Sequence, residues 1–365
     1  MKTLHITNSL NLGGAEKILF SVVNSQANKD TVIISLTSKG FYGDALIKKG
    51  YRVHYLNMKK NFFIFSKIFK LFFLIKRINP SVVHTWLYHS NLIGGLLAKF
   101  AGIKKIFWSI HHDFEFSNFN MMIEMKLLIF LSHIIPDKII FSSYSSKLNH
   151  LKNGYKKYNS LVIQNGIDRN KFKKNKSLRD KYRAKLKIKD ECFLLGNISR
   201  YHPIKDHETL FKCLLKLKKS QLYFKCLLIG DGLIKNNIDL FKKIKKYKLQ
   251  KNVILYGQSL AVHKIINALD LNILCSRSEC SPLTLIETMS CGVPSISTDV
   301  GDAKRIIGKT GWIVNPQDYE ALANCILNAY KNKLLLKEKS QKAINQAKKS
   351  FSLNKMNLEY KNIYP

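Results

Sequence analysis

The chain has 365 residues, 46% of them hydrophobic and only 7 of them proline, which is enough to bury substantial cores and too long for one domain of ordinary size. Lys and Arg number 61 against 24 Asp and Glu, for a formal net charge of +37; such a field draws nucleic acid, acidic lipid headgroups or phosphorylated small molecules, and composition alone does not choose among them. Part of the excess also accompanies a general richness in Lys, Asn and Ile, the mix that AT-biased coding gives. The 7 cysteines are odd in number, all fall in the second half and show no C-x-x-C spacing, which excludes a disulfide framework or a zinc site.

In chain order, "MKTLHITNSL" opens with strand-like alternation and no apolar leader, so a cytoplasmic protein is expected. "TLHIT", "TVIISL" and "RVHYL" read as strands, with the helical segments "GGAEKILFSVVNSQ" and "GDALIKKG" between them. "NFFIFSKIFKLFFLIKRINP" (61–80) is the longest apolar stretch, but Lys67, Lys70, Lys76 and Arg77 interrupt it short of the ~20 clean residues of a spanning helix. Its wide, Phe-rich face fits a helix packed on a sheet, and also one lying in a membrane interface. "SVVHTW", "KKIFWSI", "DKIIFSS" and "SLVIQNG" follow as further strands.

The polar, basic run "RNKFKKNKSLRDKYRAKLKIKD" reads as an interdomain boundary. A second alternating series then runs through "CFLLGNIS", "ETLFKCLLKLKK", "FKCLLIGDG", "NVILYG", "AVHKIINALD", "LNILCS" and "PSIST", and the chain closes on helical composition. This rhythm predicts two α/β, doubly wound, Rossmann-like domains facing a cleft, with ligands beyond the carboxyl ends of the strands. The expected divisions are 1–175, 176–345 and a helical segment 346–365 that returns to the first domain.

Two stretches at such strand ends carry chemistry. In "GNISRYHPIKDHETLF" a strand ends near Ile198, Arg200 and Lys205 follow in a Pro-containing loop, and a helix starts around His207. Two cations beside a helix N-terminus make an anion site suited to a diphosphate, and a solvated basic loop is the plain alternative. In "SECSPLTLIETMSCG", Ser281 is placed to cap a helix that begins at Pro282. Glu279 then lies before that helix and Glu287 inside it, so the two carboxylates bracket a helix start and are not an adjacent acid pair.

Taken together, "SRSECSPLTLIETMSCGVPSISTDVGD", "GNISRYHPIKDHETL", "LLIGDG", "VIQNGID" and "NLGGAEKILFSVV" resemble the retaining nucleotide-sugar glycosyltransferases of family 4, with their E-x7-E region and Arg-x4-Lys loop. The resemblance implies a GT-B fold with an N-terminal acceptor domain and a C-terminal donor domain. It implies that Arg200 and Lys205 clamp the donor diphosphate, that Glu287 holds the ribose hydroxyls, and that Glu279 faces the donor sugar. The amides around Leu283 and Thr284 would meet phosphate, Gly230 would belong to the donor site, and Gly13 and Gly14 would form a loop closing over the donor. Cys280, Ser281 and Pro282 replace the family's usual Gly-Phe-Gly, which leaves the sugar preference open.

One of His111 and His112, at a strand end in "WSIHHDFEF", would touch donor sugar or acceptor, and His84, Trp86, His89 and Asn91 in "HTWLYHSN" would line an acceptor groove or simply pack. The implied reaction moves a hexose or N-acetylhexosamine from a nucleotide sugar, UDP-linked by family precedent, to a glycan acceptor carried on polyprenyl diphosphate. It proceeds with retention, without a dedicated protein base and with no cofactor. No D-x-D sequence occurs, so no metal clamp is expected. The basic, Phe-rich stretch suits docking on an anionic membrane at the cytosolic face. A dehydrogenase lacks its G-x-G-x-x-G, a nucleic-acid binder lacks a recognised module, and a UDP-sugar epimerase of the same fold would need catalytic acids that the sequence does not display.

Overall fold

The computed structural model describes residues 2–58, 64–114 and 119–364. The chain forms two units, Met1–Gly166 with Asn354–Pro365, and Ile167–Leu353.

In the first unit the short β-branched runs become parallel strands β1 (Thr3–Thr7), β2 (Val32–Ser35), β3 (Arg52–Tyr55), β4 (Val82–Trp86), β5 (Lys105–Ile110), β6 (Lys138–Phe141) and β7 (Ser160–Val162), ordered β3-β2-β1-β4-β5-β6-β7. Alternation along the central strands gives the sheet two unlike faces. Leu4, Ile6, Val83, Ile106, Trp108 and Ile110 supply an apolar core. The opposite parity carries His5, Thr7, His84, Trp86, Phe107 and Ser109, with His5 paired in register to His84, and Trp86 to Ser109. The C-terminal helix Leu353–Ile363 belongs to this unit through Asn354 onward, and its buried Tyr360 stacks on Trp86.

The helix Ile64–Ile78 serves the sheet and leaves a second face open. Leu71, Ile75 and Ile78 are buried in the core, whereas Phe65, Phe69 and Phe73, spaced four apart on one stripe, are 71%, 64% and 63% exposed. Residues 59–63, which include the start of the apolar stretch, lie outside the described residues. Among the described residues no helix is long and apolar enough to cross a membrane.

The second unit holds β8 (Phe193–Ile198), β9 (Phe224–Ile229), β10 (Val253–Gly257), β11 (Leu271–Leu274), β12 (Ser295–Thr298) and β13 (Trp312–Val314), all parallel in the order β10-β9-β8-β11-β12-β13. Both faces are apolar: Leu194 and Leu227 join one core, Leu195 and Leu228 the other. Strand β13 is absent from the sequence-based strands because three residues, two half-buried and Val314 buried, give too little alternation to register. The basic run at 169–190 is not a bare linker. It holds the helix Lys176–Lys185, whose Arg183 is buried and donates to Ala268 O, Lys189 O and Cys192 O and to the Asp270 carboxylate at 3.2 Å. A buried arginine looks polar in sequence and acts as a structural bolt here. All seven cysteines are free thiols, six of them buried.

Candidate active site

In each sheet the strand order reverses once, between β1 and β4 and between β8 and β11, and these are the switch points where open α/β sheets bind ligands. The loops leaving β8 and β11 are the ones that carry Arg200 with Lys205, and Glu279.

The two loops are bound to each other. Lys205 Nζ lies 2.6 Å from Glu279 Oε1, and Ser276 Oγ donates to the same oxygen at 2.7 Å. Both charged side chains are less than one-fifth exposed, so the pair is only partly screened. One residue along, Arg277 grips Asp206 side-on, with Nε 3.1 Å from Oδ2 and Nη2 3.3 Å from Oδ1. The Arg277 amide donates to Ile204 O at 2.8 Å, and Cys275 Sγ approaches Lys205 O at 3.3 Å.

Asp206 also caps the helix His207–Lys219, accepting from Thr209 N and Thr209 Oγ1 at 3.3 and 2.8 Å. Burial alone would raise its carboxyl; the hydrogen bonds from Arg277 and Thr209 outweigh that and hold it below the usual carboxylate range. Its φ is +47°, the left-handed region that Asp tolerates better than most residues. The helix was expected to start around His207, as observed; its cap, Asp206, was not singled out from the sequence, although an Asp directly before a helix start is a capping signal. Nothing local in the sequence pointed to Arg277, which is 71 residues away.

Arg200 follows β8 and is exposed. The backbone beside it is set by Gly230, whose φ is +150°; a Cβ there would stand 1.9 Å from Ser199 O. Gly301 serves Glu279 in the same way, since a Cβ on it would meet Glu279 O at 2.2 Å. Gly230 thus shapes the Arg200 loop, while Gly301, which the sequence did not single out, shapes the Glu279 loop.

The helix after Glu279 runs Leu283–Ser290 with Pro282 as its N-cap. The expected Ser281 cap is corrected: Pro282 takes an extended ψ of 103°, which puts Ser281 one residue too early. Pro282 offers no side-chain hydrogen bond, so the first amides, those of Leu283 and Thr284, are not capped by it. Glu287 is buried on this helix, one turn beyond Thr284.

In the first unit, Gly13 is the extended N-cap of the helix Gly14–Gln26, and both glycines are exposed where the loop leaving β1 enters that helix. Ser9 Oγ, in the loop after β1, donates to Oε1 of Glu16 in the helix's first turn at 2.9 Å. His111 follows β5, stacked on Trp86 with ring centroids 5.3 Å apart, and its Nε2 is buried with no hydrogen-bond partner among the described residues. Burial, and then the neighbouring His112, lower its imidazole to about 3, so near neutral pH it is an uncharged ring. His112 is exposed, and its carbonyl accepts from Ser146 Oγ at 2.7 Å.

Of the four residues expected to line an acceptor groove, three are core residues. His84, Trp86 and Asn91 are fully buried, and their polar atoms bond to Tyr364 and Ser109, to His5, and to Thr85, respectively. Strand alternation gave the spacing of His84 and Trp86 but not that the C-terminal segment covers their face; Asn91 lies in the turn Ser90–Gly94 and bonds to Thr85 on the other face. His89 is exposed, with Nδ1 3.4 Å from Glu124 Oε1.

Residues 179–350 match the family described as glycosyl transferases group 1, and residues 12–171 match Glycosyltransferase Family 4. EpsF of Bacillus subtilis (strain 168) is 22% identical over 305 residues, 82% of this chain and 79% of that one. An Escherichia coli UDP-Gal:alpha-D-GlcNAc-diphosphoundecaprenol alpha-1,3-galactosyltransferase is 22% identical over 278 residues, 74% of this chain and 71% of its own. HepE of Anabaena, solved in complex with UDP-glucose, superposes with a TM-score of 0.89 at 20% identity, over 99% of this chain and 98% of that one. With one glycosyltransferase family matched along each half, and two parallel-sheet units that superpose on a GT-B structure, the chain belongs to the family 4-like glycosyltransferases and is a sugar-transferring enzyme.

Proposed function

We propose that the enzyme transfers a hexose or N-acetylhexosamine from a UDP-sugar to a lipid-linked glycan, with retention and without a metal, at the cytosolic face of a membrane. The observation that carries the donor half is the β8/β11 switch point, where Lys205, Glu279 and the start of the helix Leu283–Ser290 come from two loops tied together by Asp206 and Arg277. A diphosphate needs cations and free amides, and a sugar needs a carboxylate to accept from its hydroxyls.

In this reading Arg200, Lys205 and the Leu283 and Thr284 amides take the diphosphate, and Glu287 takes the ribose hydroxyls. Glu279, released from Lys205, faces the sugar, and the Gly13-Gly14 loop closes on the donor. Leaving-group charge grows on the diphosphate as the anomeric bond breaks, and cations fixed beforehand stabilise it without reorganising. An uncharged His111 suits a hydrogen bond to a sugar hydroxyl and not a contact with phosphate; His112 is the exposed alternative. HepE's UDP-glucose complex supports the UDP-sugar, and the E. coli relative's name supports a diphosphate-lipid acceptor. The absence of D-x-D from the sequence supports transfer without a metal.

Membrane docking rests on the stripe Phe65, Phe69 and Phe73, flanked by the exposed Lys70, Lys76 and Arg77, and on Phe100, 70% exposed at the end of the adjoining helix Gly95–Phe100. Thermal-shift measurements with UDP-, GDP- and ADP-sugars test the donor: stabilisation by a UDP-sugar above the others is expected, and no response to any UDP-sugar would overturn it.

A further inference from the structure

One face of the first unit's sheet has an unusual composition for a buried layer. His5, His84, Trp86, Ser109 and the strand-end His111 all project from β1, β4 and β5 with the same parity, where parallel sheets ordinarily carry Val, Ile and Leu. The rings form an ordered stack. His84 lies 4.6 Å from Trp86 at an interplanar angle of 25°, and Trp86 lies 5.3 Å from His111 at 18°.

Each member except the last is fixed by hydrogen bonds. His84 Nε2 meets Ser109 Oγ at 2.7 Å, and its Nδ1 meets the Tyr364 hydroxyl at 2.5 Å. Trp86 Nε1–H donates to His5 Nδ1 at 3.1 Å, and Tyr360 closes the stack from the C-terminal helix, 5.9 Å from Trp86. With both nitrogens of His84 bonded and Trp86 anchored through its N–H, neither ring is free to rotate. His111 stacks on Trp86, with its Nε2 left unpartnered among the described residues.

We propose that Trp86 is a positioning residue for His111, and that Tyr364, through His84, sets the plane of that platform from the C-terminal segment. The inference rests on the reading of His111 as a residue that meets sugar, and it extends that reading to a control point outside the substrate contacts. A buried ring that carries no role needs no hydrogen-bonded platform, and an aliphatic layer would fill the space without the desolvation that three histidines bring.

The test combines ring spectroscopy with kinetics on the full chain. In protein made with isotope-labelled histidine, the ring-nitrogen resonances of His111 report its environment and tautomer. Trp86→Phe and Tyr364→Phe are each expected to shift them, with Tyr364→Phe serving if the tryptophan variant fails to fold. Transfer from a UDP-sugar is expected to lose about tenfold in kcat at unchanged donor KM in either variant, as a slightly misplaced group does. In a His111→Ala background the same substitutions are expected to cost nothing further. Unchanged His111 resonances in both variants, or kcat losses that simply add to that of His111→Ala, would overturn the proposal. If His111→Ala itself transfers at the full rate, the sugar-contact reading of His111 falls, and the ring resonances alone decide whether Trp86 and Tyr364 position it.

Discussion

Lys205 and Glu279, 74 residues apart in the chain, are joined Nζ to Oε1 at 2.6 Å where the β8 and β11 loops meet. The cation that a diphosphate needs is therefore already neutralised, and the carboxylate that a sugar needs is already engaged. Removing one partner should have a different effect from removing the other. Glu279→Gln is expected to bind free UDP at least as tightly as the parent, because Lys205 is released, yet to transfer sugar about 100-fold more slowly. Lys205→Met is expected to lose UDP affinity. Calorimetric titration with UDP beside a transfer assay separates the two; equal losses of UDP affinity in both variants would contradict the assignment.

The Asp206–Arg277 tether makes a graded stability prediction. Asp206→Asn keeps an N-cap oxygen and tolerance of positive φ but loses the charge that Arg277 grips, and it is expected to cost about 1 kcal/mol. Asp206→Ala loses cap, ion pair and tolerance together, at about 3 kcal/mol. Urea unfolding of the two variants should rank them in that order, and equal midpoints would show that the cap and the tether are not separately felt.

Gly230→Ala is expected to act on Arg200 without touching it. The added Cβ would fall 1.9 Å from Ser199 O, so the backbone carrying Arg200 has to move. Donor affinity measured by titration should drop by at least about tenfold while circular dichroism stays near the parent's. An unchanged affinity would separate the glycine loop from the donor site.

The fold was legible because periodicity reports it. Each run read as a strand, from "TLHIT" to "PSIST", forms one, and the helix start at His207 was visible from its polar loop and the apolar pattern that follows. What stayed hidden depends on contacts distant in sequence. His84 and Trp86 alternate as strand residues should, but only the return of Tyr360 and Tyr364 decides that their face is buried, while Asn91 is buried in the turn after the strand, bonded to Thr85 on the other face. Arg277 and Asp206 become partners only when β8 and β11 lie side by side. Ser281 failed as a cap for a local reason, the extended ψ at Pro282.

Acid should destabilise the protein through its buried histidines. Burial lowers His5 to about 3 and His150 and His207 to about 4, against 6.5 for a free ring. Below pH 6.5 the unfolded chain takes up protons that the folded chain refuses. The stability these groups contribute is therefore complete above pH 6.5 and is lost as pH falls toward 4, at up to about 1.4 kcal/mol per pH unit for each ring. The apparent urea midpoint should fall between pH 7.5 and pH 5, and a midpoint that held or rose would contradict the burial of these rings.

The Phe65, Phe69 and Phe73 stripe is tested by flotation with acidic liposomes. Replacing the three with Ser while keeping Lys70, Lys76 and Arg77 is expected to abolish flotation that the parent shows at moderate salt, because charge alone is screened there. Parent protein that fails to float, or a triple variant that floats as well, would remove the membrane from the account.

Isothermal titration of a UDP-sugar into the parent, Arg200→Ala and Glu287→Ala proteins bears on the donor site as a whole. Saturable binding by the parent, weakened about tenfold or more by each substitution, is expected from a diphosphate held by Arg200 and a ribose held by Glu287. Full affinity in either variant, or no binding by the parent, would contradict it.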